Sequence, residues 1–240
     1  MVVVSAQTEV GRVAALWRYP VKSMAAEALD EVEISWQGLA GDRRWAFIQA
    51  GMERSGFPWL TIRERAEMWR YRPRFVDPDR PNASPTVVRT PTGEELDVVD
   101  PALAAQLAPG ARVIKQNRGV FDAMPLSLIT TATVARIGTL VDAKLDALRF
   151  RPNLLIQTNG EPAFSEDAWV GAVLRIGALR MRVDQRDERC VIVNVDPASG
   201  DREHAVLRAI ARERQAGLGV YGTTVEPGRV AVDDSVRLEP

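Results

Sequence analysis

Cys190 is the only thiol in the chain, and it stands in the segment "DERCVIVNVDP", residues 187–197. Taken as a strand over 190–195, this segment puts Val191, Val193 and Val195 on one face and Cys190, Ile192 and Asn194 on the other. The sulfur then points away from the valine stripe, towards a face that also carries an amide. Two chemistries are open. A free cysteine packed in a core behaves as a small apolar residue. A thiolate, helped by a cation such as the adjacent Arg189, is instead a soft ligand for a thiophilic metal.

Three other stretches bring cations to the ends of extended segments. In "YPVKS", residues 19–23, Pro20 interrupts a strand pattern and Lys22 and Ser23 follow at its tip, where an ammonium and a hydroxyl can hold an anion. In "GLAGDRRW", residues 38–45, the alternation places Arg43 on one strand face with Trp45 and Phe47, so it either snorkels to the surface or points at a buried anion. In "RFRPN", residues 149–153, Arg149 and Arg151 share a strand face with Asn153 just beyond. Each stretch also has a plain reading as a solvated turn or surface charge. Other chemistry finds no carrier. His204, the one histidine, sits in an arginine-rich helical stretch. There is no nucleophile elbow, no His/Cys set spaced for zinc and no glycine-rich phosphate loop.

The elements that must position these residues are mostly strands. "GRVAALWRYPV" alternates with Val13, Ala15, Trp17 and Tyr19 on one face, and "ALDEVEISW" alternates through Leu29, Val32 and Ile34. A short helix fits Ile62–Tyr71, ahead of Pro73, and another fits 101–107. The proline-rich segment 77–93 reads as a loop, hairpin or hinge. "PLSLITTATVARIGTLVDAKLD" reads as a strand feeding a helix, with Thr130 or Thr131 as N-cap and Val134, Ile137 and Leu140 as the apolar stripe. "FRPNLLIQ" is a short strand, and "VLRIGALRMRVDQRD" alternates and turns at Gly177. "DREHAVLRAIARERQ" is a helix, and two strands around "EPG" close the chain. The fold class expected is mainly β with some α (α+β), built as barrels rather than a doubly wound sheet. The boundary between an N-terminal unit (1–98) and a C-terminal unit (112–240) falls near 98–112.

Composition sets the outer limits. The chain has 240 residues, 46% hydrophobic and 26% charged, enough for a substantial core and unlike a disordered chain. A formal charge of −1 gives no support to non-specific nucleic-acid binding. Of 31 basic residues only Lys22, Lys115 and Lys144 are lysine. A single cysteine forms no intrachain disulfide, the start "MVVVSAQTEVGRV" has no leader pattern, and no run is long enough for a membrane span. The expected location is the cytoplasm.

Taken in order, "YPVKSM…GLAGDRRWAF", "RFRPNLLI", "F.ED.WVG..LRIG" and "RCVIVNVDPASG" resemble the MOSC family, the molybdenum-cofactor sulfurase C-terminal domain proteins. The resemblance is greatest to the subgroup with an added N-terminal β-barrel domain, which includes amidoxime-reducing and N-hydroxylated-base-reducing members, and it spans about Val13 to Leu238. It implies an N-terminal MOSC β-barrel domain over 1–98 and a MOSC β-barrel domain over 112–240. It also implies a molybdenum cofactor, Mo-molybdopterin, whose metal is ligated by Cys190. The family's pterin- and phosphate-holding positions match Lys22, Ser23, Arg43, Arg151, Asn153, Arg189 and Tyr221, and Thr130 or Thr131 stands in for a small hydroxyl contact.

The activity implied is reduction of a small N-hydroxylated substrate to the amine or amidine, with electrons from a separate redox protein. Two alternatives belong to other classes: a carrier of persulfide sulfur or of the cofactor, and a barrel that binds an anion without turnover. The sequence also departs from the family. "DE" precedes "RC" where relatives often have a cysteine or small residue, and "AAEAL" replaces a glycine commonly found after "VKS".

Overall fold

The computed structural model describes residues 8–239. The segment Met1–Gln7, part of the start read above for a leader, and Pro240 lie outside the described residues. The first half contributes β1 (Thr8–Arg18), β2 (Glu27–Leu29), β3 (Glu31–Ser35), β4 (Gly38–Leu39), β5 (Trp45–Ile48), β6 (Arg72–Phe75), β7 (Thr86–Arg89), β8 (Glu95–Asp97) and α1 (Pro101–Leu107). The second half contributes β9 (Arg112–Lys115), β10 (Leu126–Thr130), α2 (Thr131–Leu140), β11 (Leu154–Thr158), β12 (Val173–Ile176), β13 (Leu179–Glu188), α3 (Ala205–Arg214), β14 (Gly217–Glu226), β15 (Gly228–Ala231) and β16 (Ser235–Glu239).

Seven strands close a barrel in the order β11–β10–β14–β13–β12–β16–β1, because β1 pairs with both β16 and β11; β2 is added beside β1. Only β10 and β11 run parallel within it. The barrel interior follows from period-2 alternation: Leu174 and Ile176 on β12, and Leu179, Met181 and Val183 on β13, on either side of the turn at Gly177. β1 departs from the expected phase. A bulge between Val13 and Ala15 re-aims the strand, so Val13 and Leu16 face the core and Arg18 is buried. The sequence boundary at 98–112 does not separate the sheets: β1 is a stave of the C-terminal barrel, β3 pairs with β15, and β5 pairs with β9.

A second core packs Tyr19, Phe47, Met68, Trp69 and Leu103 from the first half with Val195 from the second. A third seats α2 and α3 on the barrel through Ile129, Val134, Ile137, Val206 and Ile210. The N-cap signal read at Thr130 acts as expected, and Asp100, not read as a cap, does the same for α1. The Asp100 carboxylate accepts from Ala102 N at 2.8 Å, and the Thr130 hydroxyl accepts from Thr133 N at 3.2 Å.

Three local expectations are corrected. The helix expected over 62–71 is a 3-10 turn, Ala66–Arg70, preceded by a tight loop in which the Glu64 carboxylate accepts from both Thr61 N and its hydroxyl. The proline-rich segment, read as a loop, hairpin or hinge, takes the hairpin form, with β7 as the middle strand of a three-stranded antiparallel sheet. Arg43 precedes β5 in a turn, and Arg149 lies in the 3-10 turn Ala147–Phe150, so neither is on a strand face. The segment after Cys190 is not a strand either: β13 ends at Glu188, and Val191–Asn194 is a 3-10 turn with Cys190 at its N-cap position.

The cause of that last turn is Arg149. Its buried guanidinium donates to Val193 O at 3.3 Å and Asn194 O at 3.1 Å and pairs with Asp196 at 2.8 Å, taking carbonyls that a strand would offer to a neighbour. Arg149→Met is therefore expected to destabilise the fold by about 1–3 kcal/mol, since Val193 O loses its partner while Asn194 O keeps Glu203 N and Asp196 keeps Ala198 N and Ser199 N. Urea unfolding of the variant and wild type measures this. A loss below about 1 kcal/mol would deny Arg149 that role.

Candidate functional site

The chain folds so that distant turns meet at one cavity beside Cys190. Lys22 and Ser23 come from the turn after β1, Arg43 from the turn before β5, and Arg151 and Asn153 from the approach to β11. Arg189 and Cys190 follow β13, and Tyr221 stands mid-way along β14. The cavity holds about 120 Å³. Three of its lining residues have left-handed backbone: Ser23 (φ 68°), Arg43 (φ 48°) and Arg151 (φ 52°). A non-glycine residue held there costs of order 1–3 kcal/mol, and such strain persists only where the surroundings over-determine it.

Those surroundings are specific. Arg43 is ion-paired with the buried Asp42, donates to Arg151 O at 3.2 Å and lies 4.5 Å from the Tyr19 ring. Arg151 donates to Met24 O at 2.9 Å and is sandwiched between the rings of Tyr19 (4.2 Å) and Trp69 (4.6 Å). Asn153 donates to Trp17 O at 3.1 Å and Asp42 Oδ2 at 3.2 Å, and its Oδ1 accepts from Ser127 N at 3.3 Å. Arg189 donates to Leu218 O and Phe150 O, each at 2.7 Å, and pairs with Asp187 at 2.9 Å. Gly219, at φ +72°, makes room for it: a Cβ there would stand 2.7 Å from Leu128 O and 3.1 Å from Arg189 Nη2.

The sulfur is half-buried, and Arg63 Nη2 donates to it at 3.3 Å. Lys22 Nζ pairs with Asp122 at 2.5 Å and donates to Val120 O at 3.1 Å. Burial pulls the Lys22 ammonium below its ordinary range, against the opposing effect of Asp122. Burial would raise the Asp122 carboxyl, but Lys22 and its hydrogen bond more than offset that and hold it low. Arg151 is pushed down to about 10 by burial. Asp187 is pushed up to about 6, again by burial, against Arg189 and the Tyr221 and Ser127 hydroxyls.

Of the residues singled out from the sequence, Lys22, Ser23, Arg43, Arg151, Asn153, Arg189, Cys190 and Tyr221 line this cavity. Thr130 and Thr131 do not. The Thr130 hydroxyl is buried against Glu166 at 3.0 Å and Thr133 at 2.9 Å, and Thr131 lines a separate groove with Trp17, Val134 and Leu155. Sequence reasoning did not single out Arg63, Asp122, Ser127 or Asp187 as site residues. Only Asp187 left a signal, as the first of the two acids in the unusual "DERC".

The donor set suits an anionic organic cofactor. Arg151 Nη2 and Arg189 Nη2 are buried with no hydrogen-bond partner, and both guanidinium groups line the cavity. Six lining side chains are cationic (Lys22, Arg43, Arg63, Arg149, Arg151 and Arg189) against three carboxylates (Asp122, Asp187 and Glu188). No group of three or more His, Cys, Asp or Glu able to hold a metal occurs among the described residues. The volume takes a phosphate as it stands.

Comparison with known proteins agrees with the architecture. Residues 10–110 match the MOSC N-terminal beta barrel domain and residues 115–237 match the MOSC domain. Mitochondrial amidoxime-reducing component 1 of Homo sapiens is 25% identical, covering 96% of this chain and 83% of that protein. Molybdenum cofactor sulfurase of Bos taurus is 37% identical over 30% of this chain and 8% of its own. The YuaD protein from Bacillus subtilis superposes with a TM-score of 0.55 at 11% identity, covering 97% of this chain and 98% of that one. The chain belongs to the MOSC-domain family.

Proposed function

We propose that this protein is a molybdenum-cofactor-dependent reductase of small N-hydroxylated compounds, with Cys190 as the protein ligand to molybdenum. One observation carries the reading: a single thiol stands beside a surplus of cations, three of which (Arg149, Arg151 and Arg189) have a buried N–H group without a partner. The amidoxime-reducing relative supports an oxidoreductase role. When bound, the cofactor supplies two-electron redox chemistry at the metal; the protein supplies ligation, orientation and electrostatics.

Cys190 Sγ is the soft donor, and the Arg63 hydrogen bond orients it. Lys22, Arg43, Arg151 and Arg189 neutralise phosphate and pterin oxygens, and Ser23, Asn153 and Tyr221 add neutral hydrogen bonds. Asp122 occupies Lys22 until an anion replaces it. Thr130 and Thr131 do not line this cavity and are given no role in this reading. The substrate's N–O bond is cleaved to give the amine or amidine and water, with electrons from a separate redox protein. No helix among the described residues is long and apolar enough to cross a membrane.

The test is elemental and pterin analysis of protein made in a host that synthesises the cofactor. Wild type is expected to carry molybdenum and pterin in equal amounts. Arg151→Ala and Lys22→Ala are expected to lose pterin on dialysis. Each lost charge-assisted contact is worth on the order of 1.5–3 kcal/mol, or roughly 10- to 150-fold in affinity. Unchanged pterin in both variants would place the cradle elsewhere. Sulfane sulfur on Cys190 without molybdenum would make the protein a sulfur carrier. Molybdenum and pterin without reduction in the presence of a donor would make it a cofactor carrier.

A further inference from the structure

Reduction of an N-hydroxylated amine consumes two protons: R–NH–OH + 2 H⁺ + 2 e⁻ gives R–NH₂ + H₂O. A cavity lined by six cations discourages free hydronium, so a built proton source matters. Asp187 is such a source. It is the penultimate residue of β13, three residues before Cys190; it is 2% exposed and lines the same cavity.

Each element packed around Asp187 brings a polar or charged group to it. From its own strand end comes Arg189, at 2.9 Å. From β10 comes the Ser127 hydroxyl, which donates to Asp187 Oδ2 at 3.4 Å. From β14 comes the Tyr221 hydroxyl, which lines the same cavity and favours the carboxylate. From the loop after β9 comes the negative charge of Asp122. Glu188, Lys22 and Arg43 complete the charged wall.

The other carboxyls are unsuited. Asp42 is committed to Arg43, Tyr19 N and Asn153 Nδ2 and does not line the cavity. Asp122 is half-exposed, and Arg43 and Arg63 add to Lys22 in holding its carboxyl below the ordinary range. Glu188 is exposed. Burial raises Asp187 to about 6, so near neutrality a fraction of it carries a proton.

We propose that Asp187, paired with Arg189 and accepting from Ser127, donates the proton to the oxygen that leaves in N–O cleavage; this rests on the reductase reading above. The Asp187 carboxyl gives its proton to the departing hydroxyl, which leaves as water as the N–O bond breaks. The nitrogen takes the second proton from solvent, and both electrons come from the separate donor protein. The resulting carboxylate is held by Arg189 and by the Tyr221 and Ser127 hydroxyls until solvent returns a proton.

The experiment pairs kinetics with a titration that needs no cofactor. Rates are taken with reduced viologen as donor and expressed per bound molybdenum, so lost occupancy does not count. Wild type is expected to show a limb near pH 6, with kcat/KM falling as pH rises through it, because the acid must be protonated. Asp187→Asn is expected to remove that limb and lower the rate about 10²- to 10⁴-fold, the usual worth of a general acid. Tyr221→Phe removes a hydroxyl that favours the carboxylate and is expected to move the limb to higher pH. In cofactor-free protein with ¹³C-labelled aspartate, one carboxyl signal should titrate near pH 6, vanish in Asp187→Asn and shift upward in Tyr221→Phe. An Asp187 signal titrating in the ordinary carboxyl range overturns the proposal. So does an unchanged profile in Asp187→Asn. Loaded wild type that reduces no N-hydroxylated compound overturns the reductase reading itself, whatever the titration shows.

Discussion

Cys190→Ser is expected to fold like the wild type and to lose N-hydroxyl reduction by more than about 100-fold. The lower bound follows from metal sites in which even partners one step behind the ligand cost 10- to 100-fold when removed. Serine keeps the size of the side chain and can still accept from Arg63, which now donates to sulfur at 3.3 Å. The residue is half-buried at a cavity wall, not packed in a core, so the change in stability should stay within about 1 kcal/mol. What serine does not supply is a soft, readily ionised donor. Metal analysis, thermal unfolding and reductase assay on one preparation separate these effects. Full activity in Cys190→Ser would remove Cys190 as the ligand. A large loss of stability, with no cofactor in the wild type, would return the thiol to the role of a small packing residue.

The residues that hold the proposed cofactor were visible in the sequence one by one, but their assembly was not. Alternation located most barrel strands, and N-cap chemistry located α2, because both are local signals. The cradle depends on turns that local patterning misreads. "GDRRW" looks extended, yet Arg43 has φ 48°; "RFRPN" looks extended, yet Arg151 has φ 52°. These conformations are imposed by partners more than 100 residues away, such as Asn153 beside Arg43 and Met24 beneath Arg151. The same holds for Cys190, whose strand was replaced by a turn once Arg149 took its neighbours' carbonyls.

Arg63 shows the limit more sharply. It is in an unremarkable "TIRER" stretch and reaches the sulfur only because Leu60, Ile62 and Val195 pack into one core. Thr130 shows the converse error. A hydroxyl at a strand-to-helix turn invites a ligand contact, but the buried Glu166 claims it, receiving bonds from Thr130 at 3.0 Å and Thr133 at 2.8 Å. Nothing in the local sequence ties Glu166 to Thr130. The pairing exists only after the barrel closes.

Electron supply gives the second large effect, an all-or-none one. The chain has one cysteine, so it cannot ligate an iron–sulfur cluster through four thiolates, and it has no dinucleotide fingerprint. NADH or NADPH added to the purified, cofactor-loaded protein is therefore expected to give no N-hydroxyl reduction. Reduced viologen, a one-electron donor that needs no docking surface, is expected to start turnover at once. A flavoprotein system should also start it, more slowly where its surface is foreign. With a protein donor the rate is expected to fall as salt is raised, since encounter between charged partners is screened beyond about 10 Å at 0.1 M. With viologen, donor docking should not limit the rate. Product formation is followed by chromatography of the amine or amidine, with the loaded protein and each donor omitted in turn. Turnover driven by NADH alone, in protein shown to be free of contaminating reductase, would reveal a nicotinamide site on this chain and overturn the division of labour between the cavity and a separate donor.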